Sequence, residues 1–183
     1  VNLLFIFYSP NNSTFGTLDI RQTVTNATGG NITRLRFRIV DLTTFPAPSG
    51  IADLRPRTST AVVVTVDRAP CGSGTSNVTV NGTTLEQPPS QPNGGGFNSS
   101  LSAGTVTLAT PIANGASIDV RFLLGIQQTG YFRFAVEVEA LPGGGSYVLF
   151  FSGHTEAVDL ALTKNDGGIT AQPGSTIPYA LGY

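Results

Sequence analysis

The side chains best placed to do chemistry are Ser152, His154 and Glu156, which follow one another at two-residue spacing. Residues two apart in a strand share a face, so the serine could act as a nucleophile, the histidine as its base and the glutamate as the group that orients the base. No nucleophile elbow and no oxyanion motif accompany them. We therefore predict that the protein is not an enzyme and that His154 is a polar surface residue.

The supply of metal ligands is too small for a metal site. The chain has one cysteine and one histidine, whereas structural zinc needs four Cys or His ligands and catalytic zinc usually needs three protein ligands. Cys71 has no second cysteine for an internal disulfide, so it is either a turn residue or a crosslink to another chain. We predict no metal and no other cofactor.

Charge and hydropathy restrict the partners. Ten Lys and Arg residues against eleven Asp and Glu give a net charge of −1, which offers no basic field for phosphates and argues against nucleic acid. The longest apolar run, residues 3–8, is far shorter than the roughly 20 residues that cross a bilayer, so we expect no membrane insertion. A chain that begins at Val1 and contains no methionine fits a processed, exported protein.

Alternation of apolar and polar residues defines the elements that must position these side chains. Four stretches alternate, and four more are β-branched or aromatic and bounded by turn residues. The first four stretches are residues 18–24, 34–39, 118–124 and 132–139, and the second four are residues 61–66, 77–85, 105–109 and 147–151. With 22 Gly and 12 Pro between short strands, the sequence predicts an all-β fold, an antiparallel β-sandwich of immunoglobulin-like or jelly-roll type.

The connections are of two kinds. Residues 27–31 and 114–115 are typical of hairpin turns. Residues 43–57 and 86–102 form long Pro- and Gly-rich loops, which either pack over the surface or bind a partner. Residues 141–146 are either a hairpin loop or a hinge.

The C-terminal stretch, residues 158–183, resembles a known family. It reads Asp159-Leu160-Ala161-Leu162-Thr163-Lys164, then Gln172-Pro173-Gly174-Ser175, then alternating Ile177, Tyr179 and Leu181. These features are similar to the opening strands of domain of unknown function eleven, an immunoglobulin-like repeat of bacterial and archaeal surface proteins. Residues 17–26, 34–41 and 125–141 are similar to the β-sandwich regions that precede such repeats. The resemblance implies a β-sandwich domain over residues 1–157, a partial repeat or strand-donating segment over residues 158–183, and an extracellular or cell-surface structural role without catalytic residues.

Both ends of the chain carry apolar strands that need a partner surface. A lone hairpin is at best marginally stable in water, and an exposed apolar strand favours aggregation. Either both termini add strands to the chain's own sandwich, or one inserts into a neighbouring subunit and builds a homopolymer by strand exchange. The residues of these candidate assembly strands are Leu3, Leu4, Phe5, Ile6, Phe7, Leu160, Leu162, Ile177, Tyr179 and Leu181.

We therefore expect an extracellular structural subunit of a cell-surface or filamentous assembly. The alternative is a carbohydrate-binding or adhesive module, with exposed aromatic residues such as Phe45 and Phe97 of the long loops as candidate platforms, although the chain has no tryptophan to stack on sugars.

Several polar residues have more than one possible role. Arg34, Arg36 and Arg38 form a stripe that either pairs across strands with Asp19 or with glutamates, or binds an anion. Glu137 and Glu139 share a face but alternate with valines, so we expect them on the solvent side. Lys164 either forms an isopeptide crosslink or flanks a turn. Asn-x-Ser/Thr sequons, which are either glycan acceptors or turn and strand residues, lie at Asn11, Asn12, Asn26, Asn31, Asn77, Asn81 and Asn98.

Overall fold

The computed structural model describes residues 2–6, 13–43, 51–70, 72–86, 95–142, 147–155, 163–165 and 180–182; for the first and the last two segments it gives backbone pairing alone. This part of the chain contains thirteen β-strands and no helix, so the prediction of an all-β fold is confirmed. The strands are β1 (Asn2–Ile6), β2 (Thr17–Thr25), β3 (Arg34–Leu42), β4 (Asp53–Arg57), β5 (Val62–Asp67), β6 (Thr75–Gly82), β7 (Thr84–Glu86), β8 (Ser100–Ser102), β9 (Ser117–Gln128), β10 (Gly130–Leu141), β11 (Tyr147–Thr155), β12 (Thr163–Asn165) and β13 (Ala180–Gly182).

The strands form two large sheets and one small one. The first sheet has the order β1-β2-β9-β6-β5, with β4 also paired to β9, and the second has the order β11-β10-β3-β8-β7. Pairing is antiparallel except between β6 and β9, which run parallel over two residue pairs. Strands β12 and β13 pair with each other as a two-stranded sheet.

The two large sheets pack together through a core of phenylalanine rings. Phe122 on β9 of the first sheet contacts three rings of the second sheet, with centroid distances of 4.9 Å to Phe37, 6.1 Å to Phe134 and 6.0 Å to Phe151. Alternation brings these side chains inward, since each large sheet turns every second residue of its long strands toward the other. A two-layer, sandwich-like architecture follows.

Neither predicted hairpin turn closes a hairpin. Strand β2 belongs to the first sheet and β3 to the second, so residues 27–31 cross from one sheet to the other. Residues 114–115 lead from the bridge between Ile32 and Ile112 into β9. By contrast, β10 and β11 are adjacent and antiparallel and so form a hairpin. Of the predicted connection at residues 141–146, residues 143–146 lie outside the described residues.

Local hydroxyl groups explain why residues 105–109 are not a strand, contrary to the prediction. The Thr107 hydroxyl accepts hydrogen bonds from the backbone N–H groups of Ala109 and Thr110, each at 3.2 Å. Side-chain bonds to nearby backbone amides favour a turn over a ladder. The predicted bounds of the two long loops are too wide, because β4 lies within residues 43–57 and β8 lies within residues 86–102.

Candidate functional site

The free edges of the two large sheets are the candidate site, and they differ in how their backbone groups are covered. The edge strands are β1, β5 and β4 in the first sheet and β11 and β7 in the second. At β4, the Pro56 carbonyl already accepts a hydrogen bond from the Gly95 N–H at 2.6 Å. Every second residue of an edge strand directs its N–H and C=O groups away from the sheet, where they can bind another strand.

The edge at β7 is closed by the chain itself. The Leu85 N–H donates to the Thr58 hydroxyl at 3.1 Å, and the Ser59 N–H donates to the Thr83 carbonyl at 2.8 Å. Because Thr58 and Ser59 already bind the backbone groups of residues 83 and 85 along this edge, few outward groups of β7 are left for a further strand.

The edge at β5 is open but charged at its end. Strand β5 ends at Asp67, and Arg68 follows it. Its hairpin partner β6 is joined to β9 over two residue pairs, so the hairpin projects from the sheet. Charged residues on an edge are one of the devices that discourage pairing with other chains.

The edge at β11, the acceptor edge, lacks such protection. Strand β11 is nine residues long, contains no Asp, Glu, Lys, Arg or Pro, and pairs with β10 without a bulge. Its outward face exposes 56% of Val148 and 57% of Phe150. A long, regular, apolar edge of this kind favours pairing with another strand.

Hydrogen bonds on β10 fix which β11 residues face outward along the acceptor edge. Arg133 directs both backbone groups toward β3, since its N–H donates to the Thr43 hydroxyl at 3.1 Å and its carbonyl accepts from the Thr43 N–H at 2.8 Å. Ser152 lies opposite Arg133, so its own backbone groups point away from β10. The alternation of an antiparallel ladder extends this to Val148, Phe150 and His154.

The N-terminal strand β1 forms the second uncharged edge, the donor edge. It reads Asn-Leu-Leu-Phe-Ile and pairs with β2 over five residues without a bulge. The β2–β9 ladder carries hydrogen bonds from Asn26 N to Ala116 O at 2.9 Å and from Ile126 N to Gly16 O at 3.0 Å. These bonds show that the even-numbered residues of β2 direct their backbone N–H and C=O groups toward β9, and that the odd-numbered residues direct theirs toward β1. Leu3 and Phe5, opposite even-numbered residues, therefore direct their backbone groups away from β2.

The other candidate assembly residues are placed only in part. Strand β1 holds Leu3, Leu4, Phe5 and Ile6 in the chain's own first sheet, as one alternative expected of both termini, whereas β12 and β13 pair with each other and not with either large sheet. Leu181 lies on β13, opposite Lys164 on β12. Phe7, Leu160, Leu162, Ile177 and Tyr179 lie outside the described residues.

The Ser152 and His154 side chains share the exposed face of β11, as their spacing predicts. The His154 ring contacts the Tyr131 ring edge to face, with centroids 4.4 Å apart. Glu156 and Cys71 lie outside the described residues, so the relative placement of the Ser152, His154 and Glu156 side chains is untested.

Among the described side chains, no group of three His, Cys, Asp or Glu could hold a metal ion, and no described helix could cross a membrane.

The arginine stripe pairs with glutamates. The guanidinium group of Arg36 lies 2.5 Å from the Glu139 carboxylate, Arg38 Nε lies 3.0 Å from the same carboxylate, and Arg38 also pairs with Glu137. Burial raises the pKa of the Glu139 carboxyl group. The hydrogen bonds and charges of Arg36 and Arg38 together lower it by more than burial raises it, so the pKa lies below the ordinary 4.5.

The expected pairing of the stripe with Asp19 is wrong. Asp19 is fully buried and instead contacts Arg21 at 3.1 Å and Arg121 at 3.0 Å. Alternation alone placed Asp19 on the solvent side of β2. The arginines that cover it come from its own strand and from β9, and only the fold brings Arg121 to it.

The sequons fall into distinct environments. Asn26 is 2% exposed, and its amide nitrogen donates to the carbonyls of Gly30 and Ile112, so it is a structural turn residue. Asn81 is half-buried and donates to the Asp119 carbonyl at 3.1 Å. The remaining described sequons are exposed, at Asn31, Asn77 and Asn98. Asn11 and Asn12 lie outside the described residues.

The exposed aromatic residues differ from those the sequence suggested. Phe45 lies outside the described residues, and Phe97 is half-buried. Tyr131, 68% exposed, instead borders a depression of about 550 Å³ that also involves Arg133, Ser152 and His154. The sequence signal that could have found the acceptor edge is the absence of charged residues from residues 147–155.

Comparisons of the chain with protein-family models, with curated proteins and with solved structures found no match. The resemblance of residues 158–183 to domain of unknown function eleven therefore stays a prediction.

Proposed function

We propose that the protein is an extracellular structural subunit of a cell-surface or filamentous assembly, and that its copies join by addition of a terminal β-strand. The observation that carries the proposal is a pair of uncharged, regular edges that no described strand covers, one at the N-terminal strand β1 and one at β11. Monomeric sheet proteins commonly protect such edges with charges, prolines or bulges. The absence of these devices from both strands supports a role in pairing.

Three further elements belong to this proposal. The resemblance of residues 158–183 to a surface-protein repeat supports an extracellular location. The two packed sheets suit the immunoglobulin-like or jelly-roll type that the sequence predicts. The two-stranded ladder of β12 and β13 is too small to be stable alone, which supports a partial repeat or a second strand-donating segment over residues 158–183.

Truncation tests the proposal directly. Purified full-length chain, a variant without residues 1–9, a variant without residues 159–183 and the double deletion are compared by negative-stain microscopy and sedimentation. We expect polymers from the full chain, and their loss in the double deletion and in the single deletion that removes the connecting terminal strand, with circular dichroism showing that the remainder retains its strands. Polymers that persist in the double deletion would show that the terminal strands are not the connection.

A carbohydrate-binding or adhesive module is the second candidate, and the depression beside Tyr131 favours it. An exposed aromatic ring next to Arg133, Ser152 and His154 combines a stacking surface with polar groups. A glycan array with the wild type and Tyr131→Ala tests this function. Binding that Tyr131→Ala abolishes would support it, and an array without hits would remove it.

A further inference from the structure

We infer that the acceptor edge of one copy binds the donor edge of a second copy directly, so that the second sheet of one molecule continues into the first sheet of the next. This inference rests on the proposed function and names its interface. It requires no exchange of strands, because β1 remains paired with β2 in its own molecule while its free side binds β11 of the neighbour.

The acceptor edge offers backbone groups and apolar side chains at the same residues. Val148, Phe150 and Ser152 direct their N–H and C=O groups away from β10, as the Arg133–Thr43 hydrogen bonds establish. Val148 and Phe150 also expose more than half of their side-chain surface. An added strand would therefore gain ladder hydrogen bonds and would cover apolar surface in the same step.

The donor edge is the better match of the two open edges in the first sheet. Strand β1 contains no charged residue and is anchored to β2 over five residue pairs. Strand β5 ends at Asp67, and its hairpin is anchored to β9 over two pairs. A strand that lies within a stable sheet is preorganised for pairing, which lowers the entropic cost of association.

A second copy is the occupant because one molecule carries both halves of the contact. The acceptor edge lies in one sheet and the donor edge in the other, so the contact is heterologous. Neither strand contains an Asp, Glu, Lys or Arg residue, so like-charge repulsion does not oppose their approach. A heterologous contact leaves one free edge at each end of a growing chain, which produces an open polymer unless its rotation closes a ring.

Two proline variants of the full-length chain separate the two edges. Ser152→Pro removes an outward N–H from the acceptor edge, and Phe5→Pro removes one from the donor edge, while the ladders to β10 and β2 keep their own hydrogen bonds. Ser152→Lys is a second acceptor variant that adds a charge without fixing the backbone. Val63→Lys places the same charge on the exposed β5 edge as the matched control. Circular dichroism and thermal unfolding verify the fold of each variant.

Sedimentation of the separate and mixed variants tests the inference. We expect polymers from the wild type and from Val63→Lys, and monomers from Ser152→Pro, Ser152→Lys and Phe5→Pro alone. A mixture of Ser152→Pro with Phe5→Pro should give one-to-one dimers, because each retains the edge that the other lacks.

The outcomes distinguish failure of the inference from failure of the proposed function. Polymers that survive in folded Ser152 variants, or that are lost in Val63→Lys instead, would place the contact elsewhere and overturn the inference while the structural role stands. Mixed variants that stay monomeric would likewise exclude pairing of these two edges. A wild type that is monomeric at every concentration tested would overturn both.

Discussion

Arg21 and Arg121 lie directly opposite each other in the ladder between β2 and β9, and the buried carboxylate of Asp19 contacts both guanidinium groups. Two like charges at facing positions destabilise a sheet unless an opposite charge compensates them. Asp19 supplies that charge, while Arg121 also donates to the Thr60 carbonyl at 3.2 Å. This cluster holds β2 against β9, and β2 is the strand that pairs with β1.

Replacement of Asp19 should destabilise the fold strongly. Asp19→Asn keeps the shape but leaves two facing, largely buried guanidinium groups without a counter-charge, so we expect a loss of about 3–5 kcal/mol in the free energy of unfolding. Chemical denaturation measures this loss. Asp53→Asn, which removes the carboxylate from a more exposed contact with Arg55, is the control and should cost less than about 1 kcal/mol. Equal losses in the two variants would contradict this account of Asp19.

Glu139 should make the stability depend on pH in the acid range. Its folded-state pKa is lower than the ordinary 4.5 because the two arginines outweigh its burial. The ionised form thus stabilises the fold above the unfolded-state pKa, and this contribution is lost as the pH falls through the lower folded-state pKa.

Glu139→Gln tests this dependence. At pH 7 the variant should be less stable than the wild type, and the two unfolding free energies should converge as the pH is lowered from 7 through and below the ordinary pKa of 4.5. A difference that stays constant over this whole range would show that the charge of Glu139 is not its cause.

Gly82 should not tolerate a side chain. A Cβ atom added there would lie 2.3 Å from the Ser59 carbonyl oxygen, which is backbone and cannot rotate away. We expect Gly82→Ala to cost about 1–3 kcal/mol through overpacking. At Gly104 an added Cβ would meet no atom within 4 Å, so Gly104→Ala is the matched control. A thermal unfolding midpoint for Gly82→Ala as high as that of the control would be incompatible with the close approach of Gly82 to residue 59.

Asn26 should act as a structural residue and not as a glycan acceptor. Its nitrogen donates to Gly30 O at 2.7 Å and to Ile112 O at 2.8 Å, while its oxygen accepts from Thr28. Asn26→Asp removes both hydrogen bonds and places a carboxylate oxygen against the Gly30 and Ile112 carbonyl oxygens at a buried position, so we expect a loss of about 1–3 kcal/mol. Denaturation of Asn26→Asp beside the exposed Asn31→Asp measures it. A stable Asn26→Asp variant would exclude this role.

The sequence predicts the long strands well, because their core residues alternate without interruption. Phe122 and Phe134 are fully buried, as their places in alternating stretches require. Shorter strands escape the same test. Strand β8 spans three residues, too few to show a period. Strand β4 alternates, but it contains Pro56, which marks a loop in the sequence.

The pairing between distant strands is what the sequence could not provide. Asp19 follows the solvent-side period of β2 yet is buried, since Arg121 reaches it from β9. The edge position of β11 has the same origin: residues 147–151 are recognisable as a strand, but only the order of strands shows that one side of β11 is open. Local pattern specifies which face of a strand is apolar, while tertiary contacts decide which strand lies at the edge.

Amide hydrogen exchange on assembled protein tests the central claim most directly. Because Leu3, Phe5, Phe150 and Ser152 direct their N–H groups away from their own sheets, these amides should exchange rapidly in dilute monomer. If copies join through β11 and β1, the same amides should become at least tenfold slower in sedimented polymer, while the exposed amides of the β5 edge stay fast. Polymers in which these four amides exchange as rapidly as in the monomer would contradict the account.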